Sequence, residues 1–220
     1  MSMTTERNSD VSRNVSPNEP VVALKRRTID SVLIGVGIVF ALCLFVAGGL
    51  LSWGANFADD YVGDELSSQN ITFPPTEALE AEGRTDLLKY AGENVTTGEQ
   101  AEAYASYIDG HLEEIAGGMT YAELGGPERE AKAAVEAAEA SGASEAELAD
   151  LQAEAGALEG QRNSLFKGET LRGLLLTAYA WSTVGTIAGY AAVAAFAAGA
   201  LMVVLVALGF RHHHKVAVLS

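Results

Sequence analysis

Four histidines, one run of clustered carboxylates and a single cysteine are the side chains on which chemistry could be built. His111 lies three residues before Glu114, and His212, His213 and His214 form a run close to the C-terminus. A non-haem iron centre takes two imidazoles and a carboxylate, so these two groups matter only if the chain can bring them together. Asp59-Asp60-Tyr61-Val62-Gly63-Asp64-Glu65 concentrates carboxylates, the oxygen ligands a hard divalent cation prefers. Its spacing follows no EF-hand loop, and a solvated helix end accounts for it more simply. Cys43 sits in an uncharged stretch with no second cysteine to pair with, and reads as a small apolar packing residue. Asn70-Ile71-Thr72 and Asn94-Val95-Thr96 match the glycosylation sequon, which has meaning only in a eukaryotic secretory pathway. Serines and carboxylates are plentiful, yet none falls into a nucleophile, base and orienter arrangement. No catalytic residue, metal ligand or cofactor is assigned, and the chain reads as a non-enzyme.

The elements that would hold these residues are set by how charge is distributed. The 220-residue chain carries a formal net charge of −15. Ser31–Ala58 and Gly173–Phe210, 28 and 38 residues, contain no charged side chain. A helix crosses a hydrocarbon core of about 30 Å with about 20 apolar residues, so both stretches are read as transmembrane helices. Between them, residues 59–172 hold 25 acidic and 7 basic residues, a local net of −18. Such a segment repels phosphates, which excludes nucleic acid as its partner.

Lys25-Arg26-Arg27 precedes the first stretch, and Arg211 and Lys215 follow the second. Basic flanks are retained in the cytoplasm, so both termini are expected there and the acidic segment outside. The first stretch is longer than the 7–15-residue core typical of a signal peptide, and is read as an uncleaved anchor. Trp53 and Trp181 are expected at the outer headgroup level and Lys25, Arg26, Arg27 and Arg211 at the inner one. The second stretch would measure about 57 Å as a helix. Its more polar first third (Thr177, Ser182, Thr183, Thr186) places the membrane core near 184–209. Small residues share faces in both stretches: Gly37, Ala41 and Gly48 in the first, Gly185, Gly189 and Gly199 in the second. Such positions let helix backbones approach, within the hairpin or in a homo-oligomer.

The fold class expected is an all-α membrane protein, its two transmembrane helices joined by an acidic, mainly helical extracytoplasmic domain. Residues 1–29 are expected to form a disordered cytoplasmic tail, 30–57 and 173–210 the membrane helices, 58–172 the outer domain and 211–220 a second cytoplasmic tail. Within the outer domain, Pro74-Pro75 excludes helix, and Thr76 is expected to cap a short helix over 77–82 that Gly83 stops. Asp86–Tyr90 is expected to form a further turn. Thr97-Gly98-Glu99-Gln100 fits a capping box. The helix after it carries Ala101, Tyr104, Ile108, Leu112 and Ile115 on one stripe and ends at Gly117-Gly118. Gly125-Gly126-Pro127 is expected to break the chain before an Ala/Glu-rich helix over 128–140. Ser141-Gly142 then turns into a second helix, capped at Ser144 and carrying a heptad-like seam (Leu148, Leu151, Ala155, Leu158, Leu165). This gives a helical hairpin or short coiled coil. Gly156, Gly160 and Gly168 weaken its continuity into the second membrane helix.

Ile71-Thr-Phe-Pro-Pro-Thr-Glu-Ala-Leu, Leu88-Lys-Tyr-Ala-Gly-Glu-Asn-Val, Tyr104-Ala-Ser-Tyr-Ile-Asp-Gly-His-Leu, Met119-Thr-Tyr-Ala-Glu-Leu and Leu171-Arg-Gly-Leu-Leu carry a resemblance. Over most of residues 30–210 the chain resembles an actinobacterial family of small proteins with two transmembrane helices. The resemblance implies that architecture and no established activity. Members often carry the label aromatic ring-opening dioxygenase. With His111 outside and His212–His214 inside, the histidines here cannot share one iron, so that label is rejected. The function expected is a structural, accessory or protein-interaction component of the cell envelope, set in the plasma membrane. Its expected partners are the lipid bilayer and a membrane or envelope protein or a second copy. The alternative is an extracytoplasmic sensor or cation-binding module.

Overall fold

The computed structural model describes residues 26–218, with side chains described over 28–212. Lys25, the side chains of Arg26 and Arg27, the expected N-terminal tail and His213, His214 and Lys215 therefore lie outside the described residues or side chains. The fold is helical, with no β-strand among the described residues. Five α-helices follow in order: α1 Arg26–Ser68, α2 Thr76–Ala81, α3 Gly98–Ala116, α4 Tyr121–Ser141 and α5 Glu145–Val218. A 3-10 helix, Thr85–Tyr90, lies between α2 and α3. Parts of α1 and α5 are long and apolar enough to cross a membrane. The chain divides into two compact units, one of residues up to Ala41 and from Ala200 onward, the other Leu42–Gly199.

In the first unit Ala41 is buried. A Cβ on Gly37 would stand 2.8 Å from Val206, and one on Gly209 would stand 3.2 Å from Ile34, so both glycines permit close approach between the helices. A cavity of about 210 Å³ there is lined by Asp30 and His212 among apolar side chains.

In the second unit two cores are stacked on α3. The first gathers Val62 and Leu66 of α1, Phe73, Leu79 of α2, Leu87, Val95, Ala101 and Ala105 of α3, and Leu175 of α5. Phe73 is its aromatic centre, stacked on Tyr90 and edge-on to Tyr104, both at 5.2 Å between ring centroids. The Pro-containing stretch is extended, as two prolines require, and it pairs with residues 92–95. Phe73 N–H donates to Glu93 and Val95 N–H to Ile71, at 2.9 and 2.8 Å. The second core joins Leu112 and Ala116 of α3, Leu124 of α4 and Leu165 of α5.

Several expectations are corrected. Pro75, not Thr76, is the N-cap of α2, and Thr76 is already helical. Along α3 the buried face runs through Ala101, Ala105, Leu112 and Ala116, while Ile115 is exposed. Gly125-Gly126-Pro127 does not break the chain, for α4 runs through it. Proline disfavours helical backbone at the preceding residue through that residue's Cβ and N–H, and Gly126 has no Cβ. Gly156, Gly160 and Gly168 do not interrupt α5, which continues past them.

Candidate functional site

The small residues expected to pack helices all lie against neighbours or in buried positions. In the larger unit a Cβ on Gly48 would stand 3.0 Å from the Phe196 ring, and one on Gly185 2.9 Å from the Ala58 Cβ. Gly199 faces Phe45 at 3.3 Å and Gly189 faces Ala55 at 3.8 Å. These four positions bring α1 and α5 together over Phe45–Ala58 and Gly185–Gly199, with Phe45 and Phe196 rings 6.2 Å apart. Gly37 and Ala41 belong to the smaller unit, as above. Trp53 is exposed and begins an aromatic ladder, stacked on Phe57 at 5.8 Å, which is stacked on Tyr61 at 6.0 Å. Arg211 is exposed.

Two close contacts escape a reading of the charge-free stretches. A Cβ on Gly98, the first residue of α3, would run into Ser182 of α5, and one on Gly168 would run into Leu112. Gly98 was visible only as part of a capping box and Gly168 only as a helix weakener. Nothing in their local sequence says what packs on them. The Thr120–Glu123 capping box at the start of α4 was also unassigned, although Thr-Tyr-Ala-Glu carries its signature.

The threonine hydroxyls in the first third of the second apolar stretch are satisfied within the helix. Thr177, Thr183 and Thr186 donate to the carbonyls of Gly173, Tyr179 and Ser182 at 2.8–3.0 Å. A hydroxyl so bonded presents mainly its methyl group outward.

Among the described residues the side chains singled out for chemistry lie apart from one another. Asp59, Asp60, Asp64 and Glu65 all lie on α1 with exposed side chains. No group of three or more His, Cys, Asp or Glu is placed to hold a metal among the described residues. His111 packs on Tyr107 at 4.6 Å and reaches Glu82 at 4.0 Å. Cys43 is exposed, and Asn94 accepts a hydrogen bond from Thr72.

The polar networks are built to fasten helices. Arg84 holds Asp86 at 2.9 Å and donates to the Ser106 carbonyl on α3 at 3.0 Å; its hydrogen bond keeps the Asp86 carboxyl below the usual range. Tyr90 and Lys89 both donate to Glu99, at 2.7 and 2.9 Å, and lower its pKa. Gln100 closes the α3 capping box and donates to Glu93 at 3.0 Å. Glu128, buried on α4, receives Lys132 at 2.8 Å and Arg162 of α5 at 2.7 Å. Arg162 also lies 4.2 Å from the centre of the Tyr121 ring. Gly125 leaves room for its guanidinium, which would stand 3.6 Å from a Cβ there.

One surface feature has the shape of a binding site. A groove of about 350 Å³ runs between α1 and α5, floored by Val62, Leu66 and Leu175 and walled by Tyr61, Leu174 and Trp181. Glu65, Gln69 and Thr177 supply its polar edge. No family model, no curated protein and no solved structure matches the chain. The geometry alone therefore speaks for the site: a mainly apolar slot of ligand-pocket size, with Glu65 as the one charged side chain in its lining.

Proposed function

We propose that the chain is an integral membrane protein that crosses the plasma membrane twice, with both termini cytoplasmic and residues 58–172 outside. In this reading it serves as a structural or accessory component of the cell envelope, its helical outer domain engaging a membrane or envelope protein. The observation that carries the membrane assignment is where the apolar side chains point. In the most apolar windows of the two long helices, only 17% and 11% of residues are buried. The core helix of a soluble protein hides its apolar side chains. Here Leu33, Val46, Leu50, Ile187, Val193 and Leu201 are among those left exposed, and a lipid solvent is the environment that accepts them. The second such helix lies far from the N-terminus, so a cleaved leader does not account for it.

The orientation is supported by the basic flanks, and the accessory role by an outer domain in which ion pairs such as Lys89–Glu99 and Arg162–Glu128 fasten helices. The resemblance to the actinobacterial two-helix family fits the same reading. Reporter fusions test the topology: reporters at both termini read cytoplasmic, and one inserted at Gly142 reads exported. Termini on opposite sides, or release of the chain by alkaline carbonate, overturns it. The accessory role predicts a native complex heavier than the chain in gently solubilised membranes. Elution of the chain alone opposes it.

A further inference from the structure

We propose that the groove between α1 and α5 holds one acyl chain of a phospholipid drawn from the outer leaflet, one whose headgroup carries an ammonium. The inference rests on the membrane reading above and adds a ligand to it. Its first support is continuity. Tyr61, the last rung of the Trp53–Phe57–Tyr61 ladder, is also a wall of the groove. Trp181, on the opposite wall, lies in the second charge-free stretch. Ring-bearing positions of this kind sit at headgroup level, so the slot opens there, where acyl chains join their headgroups, and continues toward Leu66, Ile71 and Leu171.

The second support is the character of the walls beyond that level. Residues 59, 60, 64 and 65 are acidic, yet the groove beside them stays apolar through Leu66, Ile71 and Leu171. Leu174, Trp181 and Tyr61 remain 64%, 54% and 53% exposed. Where this apolar surface passes from the charge-free stretch of α5 into the acidic domain it is unfavourable in water, and an alkyl chain relieves it there.

The third support is charge. Of the residues lining the groove, Glu65 alone is charged. The cation on the same stretch of α5, Arg172, is already held by Asp109 and Glu169 at 3.3 and 3.2 Å. A carboxylate at the rim favours an ammonium headgroup such as that of phosphatidylethanolamine over the anionic headgroup of phosphatidylglycerol.

The test uses the full chain in vesicles of phosphatidylethanolamine and phosphatidylglycerol, each supplied in turn with a photoreactive diazirine near the end of one acyl chain. Mass spectrometry maps the adducts. Adducts on residues 31–57 serve as an internal reference for ordinary lipid contact. The expected result is adducts on Leu66, Gln69, Ile71 or Leu171 as well, about threefold more with the ethanolamine lipid. Leu174→Asp removes the groove adducts and leaves the reference unchanged; Glu65→Gln leaves them in place and abolishes the lipid preference. Reference adducts without groove adducts overturn the proposal while the membrane reading stands. Loss of both, with release by carbonate, overturns the membrane reading itself. Equal labelling by the two lipids, or a preference unmoved by Glu65→Gln, overturns the headgroup assignment. A groove closed by a second copy, seen as cross-linked dimer through these residues, also overturns the proposal.

Discussion

Gly168 and Gly156 have the same residue type and the same helical conformation, but opposite surroundings. Gly168 is pressed by the buried Leu112 side chain, whereas nothing lies within 4 Å of a Cβ on Gly156. Gly168→Ala must displace Leu112 within a packed core and is expected to cost about 1–3 kcal/mol. Gly156→Ala should stabilise by about 0.5–1 kcal/mol, since only the helix propensity changes. Thermal unfolding of both variants in one detergent reads the difference in sign. Glu128 makes a second prediction. Lys132, and after it Arg162, hold its carboxyl below the ordinary value. A depressed folded-state pKa stabilises the fold above the unfolded value, near 4.3, and the gain is lost as pH falls through the folded value. Wild type should therefore melt above Glu128→Gln at pH 7, and the gap should close as the pH is taken below about 4. A gap that stays constant with pH would assign the contribution to packing instead.

The helices of the acidic segment begin and end where short-range chemistry puts them. Thr97 and Thr120 each close a reciprocal capping box, and Gly117 and Gly142 end α3 and α4 with φ of 59° and 72°. Removing either threonine hydroxyl, Thr97→Ala or Thr120→Ala, should cost about 1 kcal/mol. Amide exchange should accelerate in the first turn of the affected helix only. The boundaries at Thr97, Gly117 and Gly142 were read in the sequence because caps and stops act over three or four residues, whereas the one at Thr120 was missed although its signature is as short. Tertiary partners could not be read. The stripe assigned to α3 included Ile115, but the face is set by what α3 packs on, and small Ala105 and Ala116 take the contact. The Gly125-Gly126-Pro127 triplet looked like a break because each residue is a poor helix former. In the fold the triplet lies where α4 packs on α5, with Leu124 against Leu165 and Gly125 beside Arg162, more than thirty residues away. The groove was invisible for the same reason: its two walls are about 110 residues apart in the chain.

For the molecule as a whole, the composition of the long helices was the plainest signal. Freedom from charge over 28 and 38 residues marks both apolar stretches without any knowledge of contacts. The length of the helices was less plain, because α1 and α5 extend into charged sequence well past the apolar stretches. In the proposed topology the basic flank of α1 sets the orientation. Replacing Lys25, Arg26 and Arg27 together with alanine should raise the inverted fraction severalfold, read by a reporter at either terminus. Orientation unmoved by that change would point to the acidic segment, not the basic flank, as its determinant.

Arg162 meets α4 through Glu128, and Gly168 meets α3 through Leu112. Six residues of uninterrupted helix separate those two contacts, which fixes the angle between them as firmly as teeth on one shaft. Each inserted residue would turn one contact by about 100° relative to the other. Two extra residues between them would swing Arg162 to the far side of α5, while seven would return it to within about 20° of its bearing. The hairpin can therefore be lengthened at its tip, beyond the buried Ala138 and Ala155 and in both helices together, but between Arg162 and Gly168 only in steps close to whole heptads.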